Sequence, residues 1–151
     1  MKVLTNLTIL AGVLLFYFYG ALAGTPPPYS AADLSGTSWQ LVKFQGSDGL
    51  TLKPDDGAKY TLAFNDDGSL NARIDCNRGR STWKSSEPGR IELGLLALTR
   101  AMCPPGSLHD RLVGDWARLC SFMIRDGHLF ISLATDGGTY EFEPVNSSDR
   151  K

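Results

Sequence analysis

Apolar and polar residues alternate along much of the chain, and this period of two constrains the fold more than any other feature. Alternate residues are apolar from Tyr60 to Phe64 and again from Leu70 to Cys76, and Asp66-Asp67-Gly68 between them is typical of a turn. Successive side chains of a strand point to opposite faces, so each stretch has one apolar face. The polar face of the second stretch carries Asn71, Arg73 and Asp75. Residues 60–76 therefore predict a β-hairpin.

The same alternation returns towards the C-terminus. Residues 122–124, 129–133 and 140–142 are apolar at every second position, and Asp126-Gly127 and Asp136-Gly137-Gly138 separate them as turns. These three segments predict antiparallel strands in a meander. We also expect an opening strand over Trp39–Phe44 and two short strands over Ser81–Lys84 and Arg90–Leu93.

One segment departs from the period of two. Ser107 follows Pro104-Pro105-Gly106 and is placed to cap a helix, with Asp110 three residues further on. Apolar residues then recur at helical spacing: Leu108, Leu112, Val113, Trp116 and Leu119. We expect one amphipathic α-helix near residues 107–120. The fold class predicted is mainly β, a small antiparallel meander barrel with this helix over one opening or face.

The N-terminus is typical of a secretory signal peptide. A Lys at position 2 precedes an apolar run from Ile9 to Tyr19, and Ala21-Leu22-Ala23 resembles a cleavage site. An uncleaved membrane anchor is the alternative interpretation. The first cysteine of the chain is Cys76, so the cleavage point offers no residue for lipidation. We expect a cleaved, non-lipidated product that is periplasmic or secreted and makes no stable membrane insertion.

The remaining chain is long enough for one domain with its own core. We divide it into a Pro-rich spacer at 24–33, a domain at 34–145 and a disordered tail at 146–151, and we expect a monomer. The formal net charge of the 151 residues is −1, and no basic stripe is present. A nucleic-acid partner is therefore not expected.

Three cysteines in an exported chain indicate one disulfide and one free thiol. Three buried thiols are the alternative, because free cysteine is among the most buried residue types. The three cysteines, together with His109 and His128, lack the spacing of a metal site. We expect no metal and no cofactor.

Three motifs, in their order and spacing, resemble one family. They are Leu34–Leu41, Cys76-Asn77 and Thr99-Arg100-Ala101-Met102-Cys103, and they resemble the META domain, the HslJ-like family of bacterial envelope proteins. The resemblance implies a barrel-like β fold with one helix, an association with envelope stress, and no established catalytic activity. Many members carry Gly before the Cys-Asn pair, where this chain has Asp75.

The resemblance also bears on the cysteines. Cys76 and Cys103 both lie in motifs that resemble the family, and we pair them as the disulfide. Cys120 lies outside the family pattern, which favours its role as the free thiol. In a chain-entropy model a loop of this size stabilises the fold by about 3 to 4 kcal/mol.

No arrangement of residues singles out a catalytic site. The chain has no Gly-x-Ser-x-Gly elbow, and no His and acid are identified that would activate a Ser or Cys. We therefore expect a non-enzymatic scaffold, related to the envelope or to stress, that binds an unidentified envelope protein or small ligand. The alternatives are a lipocalin-like carrier, with Trp39, Trp83 and Trp116 lining an internal cavity, and a hydrolase with an unrecognised site.

The candidate binding residues are Asn77, Arg78, Arg80 and Arg100. Arginine donates in a planar fork to carboxylate or phosphate, so convergence of the three arginines near the disulfide would form an anion-binding patch in the loops at one barrel end. A solvated surface is the alternative for the arginines. For Asn77 the alternative is a structural role, in which its amide bonds the backbone of a turn.

Overall fold

The computed structural model describes residues 29–145. The predicted signal peptide, residues 24–28 of the spacer and the tail at 146–151 lie outside the described residues. Ten strands and two α-helices make up the domain. The strands are β1 Thr37–Gln45, β2 Thr51–Leu52, β3 Tyr60–Phe64, β4 Ser69–Ile74, β5 Asn77–Lys84, β6 Glu92–Leu93, β7 Ala97–Leu98, β8 Leu119–Arg125, β9 His128–Leu133 and β10 Thr139–Pro144. The helices are α1 Ala31–Leu34 and α2 His109–Asp115, with 3₁₀ turns at Gly57–Lys59 and Trp116–Arg118.

The strands form one antiparallel sheet that curls into a nearly closed barrel. Their order is β6-β5-β4-β3-β1-β10-β9-β8, with β2 added to β1 and β7 added to β5. The two ends of the sheet meet beside β6 and β8, where the Ile91 amide donates to the Cys120 carbonyl at 3.1 Å and the Phe122 amide donates to the Gly89 carbonyl at 2.9 Å. The predicted fold class, a mainly β antiparallel barrel, is confirmed.

Side chains fill the interior of the barrel. The alternation predicted for residues 60–76 places Tyr60, Leu62, Phe64 and Leu70 inside, and the C-terminal meander contributes the inward row of each of its strands. The largest fully buried side chains are Tyr60, Tyr140, Phe44, Phe64 and Phe142. Trp39, Trp83 and Trp116 are also part of this core. A core of this composition leaves the interior occupied by the protein itself.

Helix α2 lies where a helix is predicted but is shorter than residues 107–120. It begins at His109 and continues as a 3₁₀ turn to Arg118, after which Leu119 enters β8. The N-cap residue is Leu108, one residue later than predicted. Ser107 still caps the start of the helix, because its hydroxyl accepts from the His109 amide at 3.1 Å, whereas Asp110 contacts the His109 ring. The Leu108 amide donates to the Tyr60 hydroxyl at 2.8 Å. A tyrosine of the barrel therefore anchors the start of the helix.

Residues 77–80 form part of a strand, where a turn is predicted. The turn is at Asp75-Cys76, with Asp75 at a φ of 55°, and β5 runs from Asn77. Pairing on both sides extends this segment, since Gly79 lies opposite Ala72 of β4 and opposite Leu98 of β7. The predicted strand at Arg90–Leu93 reduces to β6 and a single bridge from Arg90 to Ser121.

The fold begins earlier than the predicted boundary at residue 34. The Gly89 amide donates to the Tyr29 carbonyl at 2.6 Å, and the Tyr29 ring lies 6.5 Å from the Phe122 ring. Helix α1 follows and buries Leu34. The last five residues of the predicted spacer thus belong to the domain. Within residues 29–145, no helix has the length and apolar character needed to cross a membrane.

Candidate functional site

A disulfide ties the β4–β5 hairpin to the segment that precedes α2. Cys76 and Cys103 are bonded, with their Cα atoms 5.4 Å apart, which is the pair expected from the sequence. Cys120 is a free and partly buried thiol. The bond joins the residue before β5 to Cys103. We call residues 94–103 the strap. The strap also pairs with β5 through β7.

Asn77 connects β5 to the strap through its side-chain amide. Its oxygen accepts from the Ala101 amide at 2.8 Å and from the Thr99 hydroxyl at 2.9 Å, and its nitrogen donates to the Ala101 carbonyl at 2.9 Å. The residue is fully buried. Asn77 therefore takes the structural role that was the alternative for it, and its side chain does not face a partner.

Three arginines lie side by side on the outer surface of the barrel. Residues of β4 and β5 alternate between core and solvent, which places Arg73 of β4 and Arg78 and Arg80 of β5 on the same outer face. In the register of these strands Arg73 lies directly opposite Arg78, and Arg80 lies opposite Asn71. We call Arg73, Arg78 and Arg80 the arginine face.

The arginine face carries uncompensated positive charge. Across residues 29–145, none of its three guanidinium groups has a carboxylate within salt-bridge distance. The neighbouring outward positions are the neutral residues Thr61 and Ala63 of β3. Like charges directly opposite each other destabilise a sheet. The fold thus bears an electrostatic cost that a bound anion would relieve.

An open cleft of about 810 Å³ lies over the arginine face. Its walls come from β3, β4, β5 and the strap, and its lining residues are Thr61, Ala63, Asn71, Ala72, Arg73, Arg78, Gly79, Arg80, Ala97, Leu98 and Thr99. Arg73 is oriented by two hydrogen bonds of 3.3 Å, from its guanidinium to the carbonyls of Asp75 and Ala58. Arg78 and Arg80 are exposed. The cleft therefore combines one oriented cation with two accessible ones.

The structure brings together two of the predicted site residues and adds one. Arg78 and Arg80 share the cleft, whereas Arg100 is exposed on the strap, next to Thr99 of the cleft wall. Arg73 was assigned to the polar exterior of the hairpin and not to the site. The signal that identifies it is the hairpin register, which requires the turn at Asp75-Cys76 and a strand over 77–80.

A second group of polar side chains anchors α2. The Asp115 carboxylate accepts from the Arg111 guanidinium and from the Tyr140 hydroxyl, each at 2.7 Å, and lies 3.4 Å from Arg118. Asp115 is only 6% exposed, although the sequence places it on the polar side of the helix. Burial, and then the hydrogen bond to Asp115, raise the pKa of Tyr140 far above its ordinary value of 10.0. This group is occupied with holding the helix on the barrel.

A third group lies on the outer face of β1, β10, β9 and β8. The Glu141 carboxylate contacts His128 at 2.8 Å and Lys43 at 3.2 Å. Burial acts to raise the pKa of Glu141, but hydrogen bonds from His128 and Lys43 outweigh it, so this pKa lies below its ordinary value. A cleft of about 570 Å³ borders the three residues. Its charges are paired within the protein, unlike those of the arginine face.

A family model identifies the protein family to which this barrel belongs. The model of the META domain matches residues 32–147. The chain belongs to the META domain family. The family resemblance of the three sequence motifs is thereby confirmed, and the match covers all ten strands, α2 and all of α1 except its first residue, Ala31. A comparison with curated proteins finds no match.

Solved structures share the fold of this META domain. An NMR structure of a protein from Burkholderia xenovorans has a TM-score of 0.63 at 22% identity, with 82% of this chain and 94% of that chain covered. A crystal structure of a DUF4847 family protein from Bacteroides vulgatus has a TM-score of 0.54 at 13% identity, with 74% and 94% covered. These similarities extend to the fold alone.

Proposed function

We propose that this META domain is a non-enzymatic recognition domain of the cell envelope or the extracellular space that binds an anionic partner at its arginine face. The observation that carries the proposal is the pairing of Arg73 directly opposite Arg78, with Arg80 beside them and no carboxylate in reach within residues 29–145. Such a cluster of like charges lowers the stability of the sheet. A bound anion would offset this loss, and this supports a binding role for the three arginines.

The chemistry of the face favours phosphate or carboxylate groups. Guanidinium is planar, stays charged, and donates two parallel hydrogen bonds to such anions. Arg78 and Arg80 are two residues apart on the same face of β5, and strand geometry sets their Cα atoms about 7 Å apart. This spacing suits a partner that presents two anionic groups, and the hydrogen-bonded guanidinium of Arg73 supplies a third cation.

The proposed location rests on two features. Residues 1–23 have the composition of a signal peptide, and the domain contains a disulfide between Cys76 and Cys103. Disulfides persist in oxidising compartments such as the periplasm and the extracellular space. Together these features support export.

The absence of enzymatic activity is part of the proposal. Two clusters of charged side chains are engaged in structural contacts, and in the first of them Asp115 contacts Arg111 and Tyr140. Glu141 is likewise held between His128 and Lys43. A broad screen of ester, peptide and glycoside substrates should show no turnover above background, and hydrolysis of any class by the purified protein would contradict this part.

The arginine face is tested with a soluble polyanion. Polyphosphate is titrated into the protein by isothermal calorimetry at several salt concentrations. Replacing both Arg78 and Arg80 by Gln should weaken binding by about tenfold or more, because each exposed ion pair contributes up to about 1 kcal/mol. The salt dependence of binding should fall as well, since fewer ions are exchanged.

The matched control is Arg125→Gln, which removes an exposed arginine of β8 outside the arginine cleft. It should bind polyphosphate as the unmodified protein does. Equal affinity of all three proteins, or no binding of polyphosphate by any of them, would overturn the arginine face as an anion site. Recovery of an envelope partner by crosslinking in cells should depend on the same two arginines.

A further inference from the structure

The strap carries two large apolar side chains that are almost completely exposed. Leu95 is 97% exposed and Met102 is 98% exposed. They differ from the other exposed large apolar residues of the described chain, Leu50 and Met123, which keep more than half of their surface covered. Single apolar residues at a surface are common, but two such side chains on one short segment point to an interaction surface.

The same region is free of acidic residues. From Gly94 to His109 the chain contains Arg100 and neither Asp nor Glu, and from Cys76 to Lys84 it contains Arg78, Arg80 and Lys84, again with no acid. These two segments pair with each other through β5 and β7. The chain as a whole has a formal net charge of −1, whereas these two segments carry a local excess of positive charge, in which Lys84 is paired with Glu92 of β6.

The apolar and the basic surfaces adjoin each other. Ala97, Leu98 and Thr99 form a wall of the arginine cleft and also line a second groove of about 710 Å³ on the strap. The rest of that groove is largely apolar, with Leu96, Met102 and Val113 among its lining residues. A ligand that covers both clefts meets cations on one side of β7 and apolar side chains on the other.

We infer that the arginine face and the strap dock together on a membrane surface that carries anionic lipids. This inference rests on the proposed function, because it names the anionic partner. The arginines donate to headgroup phosphates, while Leu95 and Met102 enter the interfacial region of the bilayer. The attachment is peripheral and reversible, and it requires no spanning segment within the described domain.

A bilayer suits these side chains better than an acidic protein surface does. Leu95 and Met102 project almost fully into solvent. A protein partner would have to offer a fitted pocket for each of them, whereas the fluid interface of a membrane accepts apolar groups in any arrangement. Apolar side chains next to basic residues are the combination by which peripheral proteins bind anionic membranes.

The test measures sedimentation with vesicles. The protein is recovered after export from the cell, and every comparison uses protein with the same N-terminus. Vesicles of equal parts phosphatidylglycerol and phosphatidylcholine are compared with vesicles of phosphatidylcholine alone. Replacing Leu95 and Met102 by Ser should weaken binding to the anionic vesicles by about tenfold and leave binding to polyphosphate unchanged. Replacing Arg78 and Arg80 by Gln should weaken both.

The matched control replaces Leu50 and Met123 by Ser, two exposed apolar residues on other parts of the surface. It should bind vesicles as the unmodified protein does. Arginine-dependent binding of polyphosphate without binding of vesicles would overturn the membrane inference and leave the proposed function standing. Vesicle binding that is unaffected by the changes at Leu95 and Met102 would also overturn it. If the unmodified protein binds neither polyphosphate nor anionic vesicles, both proposals are wrong.

Discussion

At the scale of single residues, Asn77 links β5 to the strap, in addition to the pairing of β5 with β7 and the disulfide between Cys76 and Cys103. Its amide satisfies both backbone groups of Ala101 and the hydroxyl of Thr99. Asn77→Ala leaves these part-buried groups without their partner, and we expect a loss of about 1 to 3 kcal/mol in the free energy of unfolding. Urea denaturation measures it. The control is the exposed Asn71→Ala on β4, which should change stability by less than about 0.5 kcal/mol. Equal losses for both variants would contradict the linking role of Asn77.

A second residue-scale prediction concerns Glu141 and pH. Its pKa is lowered from 4.5 in the folded protein, so its carboxylate stabilises the fold above that pH, and this contribution disappears as the pH falls through the folded-state pKa. The difference in unfolding free energy between the unmodified protein and Glu141→Gln should therefore be largest near neutral pH and shrink in acid. Urea denaturation at a series of pH values measures the difference.

The matched control for this experiment is Thr139→Val. Thr139 lines the same cleft as Glu141 and does not titrate. Its difference from the unmodified protein should stay constant with pH. A difference for Glu141→Gln that is constant with pH, or that grows in acid, would contradict the assigned direction of the pKa shift.

At the scale of elements, the contact between β5 and the strap depends on a glycine. A Cβ atom at Gly79 would lie 2.5 Å from the Ala97 carbonyl oxygen, whereas a Cβ atom at Gly114 of α2 meets nothing within 4 Å. Gly79→Ala should therefore push β7 away and cost about 1 to 3 kcal/mol. Gly114→Ala should stabilise the helix by up to about 1 kcal/mol. Thermal unfolding of both variants measures the two effects.

Hydrogen exchange gives the structural readout of the same pair. Gly79→Ala should increase exchange at the Thr99 amide, which donates to the Arg78 carbonyl in the unmodified protein. Gly114→Ala should leave it unchanged. A Gly79→Ala protein with the stability and exchange of the unmodified protein would contradict the close approach of the strap.

The elements differ in how far the sequence predicts them. The hairpin at 60–76 and the C-terminal meander follow from strict alternation, since a strand with one buried face repeats every two residues. For residues 77–80 the sequence predicts a loop at one barrel end, whereas the structure has a strand there. Their extended form depends on pairing with β4 and β7. The residues of β7 lie about 20 positions further along the chain, so the local sequence around residues 77–80 does not predict this pairing.

At the scale of the whole molecule, the arrangement of charge depends on strand register. Arg78 and Arg80 are predictable as a basic cluster, but Arg73 joins them only because β4 and β5 pair with the turn at Asp75-Cys76. Arg100 and Met102 of the strap line the groove that adjoins the arginine cleft along β7. The buried position of Asp115 likewise depends on Tyr140, which lies 25 residues further along the chain.

The central claim is that the arginine face binds an anionic partner, and an NMR titration with polyphosphate tests it most directly. Backbone amide signals should shift along residues 71–80 and 97–100, which line or adjoin the arginine cleft. Signals around Phe130 and Glu141 in the outer cleft of β8–β10 should stay in place. Shifts confined to that outer cleft would contradict binding of an anion at the arginine face. The absence of any shift at a polyphosphate concentration that saturates a weak site would contradict it as well.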